Sequence, residues 1–255
     1  MSNSAPAPET HAEDLRRSLQ DGGAQAVVAH IQTLPEGERL GVFSYAQQMF
    51  SHRGDAPIPL DDYIVIARAG IGEALRRSAA ADDAEQSARL KDTANIFSFN
   101  LLADLAECWP DDTVPRERRH FEEGLRAADD CIRWRDELGK PNDRKSMAWW
   151  GRGMHLLSLE RHRDALDAFD RTCELTYEGA EFVPTPAGSF GQILNVGYRA
   201  IARIALGDDG GEEELARARR AFEAQLSDEA RREDAQFGLD QLGVVEGKIR
   251  ARAGA

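Results

Sequence analysis

Trp149-Trp-Gly-Arg-Gly-Met-His-Leu156 and, beyond the polar run Glu160-Arg-His-Arg-Asp164, Ala165-Leu-Asp-Ala-Phe169 read as two helices meeting at a tight turn. Gly153 and Ala165 have almost no side chain, so the two backbones can approach closely. Trp149, Leu156 and Phe169 then fill the spaces on either side. A looser echo follows in Asn195-Val-Gly-Tyr198 and Ala218-Arg-Arg-Ala-Phe222, where Gly197, Ala218 and Phe222 take the corresponding places. From Gly153 to Gly197 is 44 residues and from Ala165 to Ala218 is 53, so the echo is irregular.

Outward from this pair the whole chain reads as helix. Strand-like alternation is nearly absent, and the best candidate, Ile64-Val-Ile66, lies inside a run where Ile64, Ala67, Ile71, Ala74 and Leu75 recur at helical spacing. The periodicity predicts helices at 10–20, 24–32, 34–52, 61–79, 84–108, 115–138, 143–160, 162–177, 189–206, 211–226 and 228–250. Thr10 with Glu13 and Thr33 with Glu36 fit capping boxes, and Ser227 fits the N-cap of the last helix. Pro57 and Pro59, Pro110 and Pro115, and Pro141 mark loops, and Gly207-Asp-Asp-Gly-Gly211 marks a hinge. The connection from Thr176 to Ser189 carries Tyr177, Phe182, Pro184 and Pro186, so it either covers a hairpin end or has a role of its own.

The 149–169 pair resembles a tetratricopeptide repeat, whose pattern W-x2-L-G-x2-Y followed by A-x3-F is met here by Trp149, Gly153, Leu156, Ala165 and Phe169. Arg152 stands where the pattern has Leu, and no Pro closes the repeat. The resemblance implies an all-α fold of antiparallel hairpins stacked as a tetratricopeptide-like solenoid, with an additional N-terminal helical region. Its parts are a disordered start at 1–9, N-terminal helices at 10–82, hairpins at 83–226, and a capping helix and tail at 227–255. The hairpins include a pair formed by Asn95–Trp109 with Arg116–Trp134. In such a stack the first helix of each pair lines a concave face. The register then puts Trp150, Met154 and Leu157, and in the next hairpin Leu194, Tyr198 and Ile201, in a partner-binding groove. The competing reading buries Trp150 and Met154 against the neighbouring hairpin.

Lys and Arg number 32 against 45 Asp and Glu, a net charge of −13. Nucleic acid and anionic membrane both call for a dense positive face, so neither is an expected partner. The stretch 1–9 has neither the basic start nor the apolar run of a targeting peptide, and no apolar run is long enough to span a bilayer. Cys108, Cys131 and Cys173 are far apart in sequence, outside the usual zinc and redox spacings. A reduced, soluble, cytoplasmic protein is expected, and the Ala, Arg, Gly and Asp content is compatible with a GC-rich bacterial genome.

Motifs that could carry chemistry are weak. Glu117-Arg-Arg-His120 has the spacing of a di-iron ligand pair, but no second E-x-x-H exists. His155, Glu160, His162 and Asp164 straddle a turn, and of the pairs Asp61-Asp62, Asp111-Asp112, Asp129-Asp130 and Asp208-Asp209 three of the four sit at helix starts or turns, where carboxylates suit the dipole. No phosphate loop or nucleophile elbow occurs, so no metal, cofactor or catalytic residue is assigned. The sequence points to a non-enzymatic scaffold or adaptor that binds another protein or a peptide. The alternative is an all-α enzyme or small-ligand sensor with a pocket between the N-terminal helices and the repeats, near Asn95, Asn100 and Trp109. Self-association into a homo-oligomer is a third reading.

Overall fold

The computed structural model describes residues 7–253. Among them a 3-10 turn, Pro8–His11, precedes ten α-helices: α1 (Ala12–Thr33), α2 (Glu36–Phe50), α3 (Leu60–Ala80), α4 (Ala84–Leu105), α5 (Arg118–Glu137), α6 (Asn142–Ser158), α7 (His162–Tyr177), α8 (Phe190–Ala205), α9 (Gly210–Gln225) and α10 (Arg232–Ala253). No strand occurs among the described residues. The disordered start expected at 1–9 falls mostly outside the described residues; its end, Pro8 and Glu9, lies in the 3-10 turn. The helices form two compact units, the first ending at Asp104 and the second beginning at Leu105.

In the first unit α1 breaks at Gly22 and Gly23, the latter at φ 67°, so the two helices expected at 10–20 and 24–32 are the arms of one kinked element. α1, α2 and α3 pack mutually. Leu15, Ile31, Phe43, Phe50, Tyr63, Ile66, Phe97 and Leu101 are buried within 5 % exposure or less. A filled aliphatic or aromatic site of this kind stabilises by about 1.5–3 kcal/mol per side chain. α4 belongs here: the Phe97 ring lies 3.3 Å from where a Cβ on Gly70 would stand, and Gln47 Nε2 donates to the Phe97 carbonyl at 2.9 Å. The compact units divide at 104/105, within the stretch 83–226 expected to hold the hairpins, so most of Asn95–Trp109 falls in the first unit and Arg116–Trp134 in the second. Two helix starts are corrected. Thr10 Oγ1 donates to the Ala7 carbonyl and Thr33 Oγ1 to the His30 carbonyl, so neither caps the helix that follows it.

The second unit runs in chain order: α5 packs on α6, α6 on α7, α7 on α8 and α8 on α9, and α10 lies across both α8 and α9. The contacts are set by small residues that admit a neighbour's large side chain. A Cβ at Gly153 would stand 2.6 Å from the Phe169 ring, one at Gly197 2.5 Å from Leu242, and one at Gly238 2.5 Å from Phe222. Gly124 admits the His155 ring in the same way. Behind Gly153, Phe169 stacks on Tyr198 with ring centroids 5.7 Å apart. Ala165 and Ala218 are fully buried in the same core as Leu156, Phe169 and Phe222.

Most of the buried polar groups that tie helices of this unit together are paired, as burial favours, although Trp150 Nε1 and Arg252 Nη1 find no hydrogen-bond partner among the described residues. Tyr198 Oη donates to Gln241 Oε1 at 2.8 Å, joining α8 to α10. Glu214, 3 % exposed, accepts from both Arg199 and Arg203, which in turn hold Asp170 and Asp208. Glu107 accepts from Ser158 Oγ at 2.8 Å and pairs with Lys248 and Arg252, fixing the far end of α10. The 178–189 connection is a pinned cover: Pro184 is buried, Phe182 meets the Tyr177 ring, and Gln225 Nε2 donates to the carbonyls of Pro186 and Gly188. The last helix starts at Arg232, not after Ser227, because Asp228 uses its carboxylate to accept from Ala230 N in a turn.

Candidate partner-binding surface

The groove expected from the repeat register is corrected by burial. Met154, Leu157, Leu194, Tyr198 and Ile201 are core residues, with Tyr198 at 0 % exposure, and only Trp150 of the six reaches the surface in part. On α8 the cover is α10, which lies across that helix and accepts the Tyr198 hydrogen bond at Gln241. Burial also lifts the Tyr198 hydroxyl well above its ordinary pKa, so it stays neutral. Trp149, expected only as packing, is half-buried and carries the Arg152 guanidinium 5.6 Å above its ring.

The weak chemical motifs resolve into structural roles. Glu117 N–H donates to His120 Nδ1 at 3.0 Å, so E-x-x-H is a reciprocal cap on α5. His155 is buried against Gly124 while His162 begins α7, a turn away. Asp129 pairs with Arg152, Asp130 with Arg133, and Asp208 accepts from Gly210 N and from Arg203. Asn95 donates to Asp92 and Asn100 to Gln47, which accounts for polar groups on the otherwise apolar α4. All three cysteines are buried, and burial pushes the Cys173 thiol up, away from the reactive thiolate. Among the described residues no group of three His, Cys, Asp or Glu side chains is arranged to hold a metal ion, and no helix is long and apolar enough to cross a membrane.

What the fold does leave at the surface is a row of aromatic rings in the second unit. Phe237, on α10, is 39 % exposed. It stacks on Trp109 at 6.1 Å and 25° and on Phe190 at 6.4 Å and 14°. Trp150 meets Trp109 edge-on at 6.4 Å, and Phe190 rests on the buried Phe222 at 5.8 Å. Trp109, Trp150 and Phe190 are all part-exposed. The rings come from α6, α8, α10 and the segment before α5, so rigid helices hold the row from several sides. Offset stacking of this kind is worth about 0.5–1.5 kcal/mol per pair beyond area burial, which keeps the row ordered without a ligand.

On α10 the charged residues that share the face of Phe237 are acidic. Glu233 and Asp240 stand four residues before and three after Phe237, so they share its helix face, with Asp234 beside them. All three are exposed, and among the described residues none has a cationic partner; Asp240 accepts only from Gln236 Nε2 at 2.8 Å. Elsewhere on the unit carboxylates are commonly paired with arginine. Sequence reasoning missed this row because its members lie at 109, 150, 190 and 237, which share no period. The one signal within reach was that Phe237 interrupts a charged stretch, Arg231-Arg-Glu-Asp234 to Asp240.

No protein-family model matches the chain, and no curated protein or solved structure matches it either.

Proposed function

We propose that this chain is a protein-binding adaptor whose second unit is a tetratricopeptide-like stack, with partner recognition at the aromatic row and not in the groove expected from the repeat register. The observation that carries this reading is the solvent-facing stack of Trp109, Phe237 and Phe190. Rigid aromatic rings that stay accessible in the free protein are the groups that dominate binding energy at interfaces, since they bury much area at little entropic cost. In the proposed stack α6, α8 and α10 are the first helices of successive layers, and each contributes one ring: Trp150, Phe190 and Phe237. The match of Trp149 to Phe169 and the nesting of Phe169 on Gly153 support the stack.

Affinity capture with the parent chain and with Phe237→Ser, each checked for an unchanged helical signal, tests the reading. A defined set of proteins recovered by the parent and lost by the variant is expected. Equal recovery by both would remove the aromatic row from any role in binding.

A further inference from the structure

Resting on the adaptor reading, we infer that the segment taken up by the aromatic row presents an arginine, whose guanidinium lies over Phe237 and pairs with Glu233 and Asp240. The second unit itself shows how this chemistry is built. Arg133 lies 5.4 Å from the centroid of Trp134 and pairs with Asp130; Arg152 lies 5.6 Å from Trp149 and pairs with Asp129. Arg199 lies 5.7 Å from Phe182 and pairs with Asp170; Arg252 lies 6.0 Å from Phe121 and pairs with Glu107. In each case one arginine satisfies a ring face and a carboxylate together, which its flat, weakly hydrated fork does better than a lysine.

At Phe237 two of the three components are present. The ring is exposed, carboxylates stand one turn to either side on the same face, and among the described residues no cation lies over Phe237 or Phe190 or pairs with Glu233, Asp234 or Asp240. The missing component is positive, planar and apolar on its faces. The chain's net charge of −13 adds long-range attraction for a basic segment. The neighbouring part-exposed Trp109 and Phe190 supply apolar ground for side chains next to that arginine. The occupant is therefore an arginine-bearing, partly apolar peptide segment of another protein.

Selection of a displayed library of random short peptides on the intact chain, followed by affinity measurement by fluorescence polarisation, tests this. Enriched peptides are expected to contain arginine beside aliphatic or aromatic residues, and Phe237→Ala should weaken them about tenfold. The double variant Glu233→Gln with Asp240→Asn, which leaves the rings untouched, should weaken them by several-fold at low salt and flatten their salt dependence. Replacing the peptide's arginine by lysine should cost more than replacing its other charges. Peptides that need Phe237 but carry no arginine would overturn the arginine while leaving the adaptor reading standing. Failure of any selected peptide to depend on Phe237 would overturn both.

Discussion

Adding one methyl group at Gly153 tests the packing on which the second unit is built. In an exposed helix, glycine to alanine is stabilising, by about 1 kcal/mol from helix propensity. At Gly153 the new Cβ would stand 2.6 Å from Phe169 Cε1 and 2.8 Å from both Cδ1 and Cζ. Carbon atoms prefer about 3.5–4.0 Å, so the overlap is on the order of 1 Å. The ring cannot retreat, because Phe169 is itself fully buried and the Tyr198 ring stacks on it at 5.7 Å. Overpacking of this kind costs about 1–3 kcal/mol, which outweighs the propensity gain. Gly153→Ala should therefore lower stability by up to about 2 kcal/mol, and Tm falls by about 2–4 °C per kcal/mol in a chain of this size. Gly243→Ala on α10, where a Cβ meets nothing within 4 Å, should raise Tm instead. Combining Gly153→Ala with Phe169→Leu should cost less than the sum of the two, since the shorter side chain makes room. Calorimetric melts of the four variants read this directly. If Gly153→Ala stabilised the chain as Gly243→Ala does, Phe169 would not be nested on Gly153 and the close packing of α6 with α7 would be wrong.

Glu214→Gln leaves Arg199 and Arg203 without their shared buried anion; each keeps one exposed carboxylate, so the loss should be about 2–3 kcal/mol, read by urea titration. Burial opposes ionisation of Glu246, but hydrogen bonds and charge from Arg219 and Arg250 outweigh it and hold its carboxyl below the ordinary value of 4.5. Its contribution is thus fully present above pH 4.5 and fades as pH falls through the lower folded value. Glu246→Gln should accordingly be less stable than the parent at pH 6 to 7, with the difference shrinking toward pH 3, measured by urea midpoints across about that range.

The helices were legible because their signals are local. The segment 162–177 is bounded by a polar turn and a tyrosine before Glu178, which adopts a left-handed conformation at φ 48°, and sequence and structure agree on both ends. The Gly22-Gly23 break is likewise visible as two breakers in a row. Ser227-Asp228 misled because an N-cap and a turn use the same side-chain chemistry, and here the carboxylate serves the turn. The unit boundary was not legible, since nothing within α4 announces that Phe97 and Leu101 join Phe43 and Tyr63 in one core. The groove failed for a similar reason. A register projected from Trp149 onto Tyr198 assumes that every layer is flanked alike, whereas α10 crosses α8 and buries Tyr198. The aromatic row depends on residues from 109 to 237 meeting in space, and a sequence shows charges without showing which of them lack a partner.

The central claim is that a partner sits on Phe237. Placing the photo-crosslinker p-benzoylphenylalanine at position 237, and in a separate chain at the exposed Arg163 on α7, tests it in living cells of the source organism. The account predicts a discrete adduct band that forms from position 237, is absent from position 163, and is weakened by Glu233→Gln with Asp240→Asn in the same chain. No adduct from 237, or the same adducts from both positions, would contradict it.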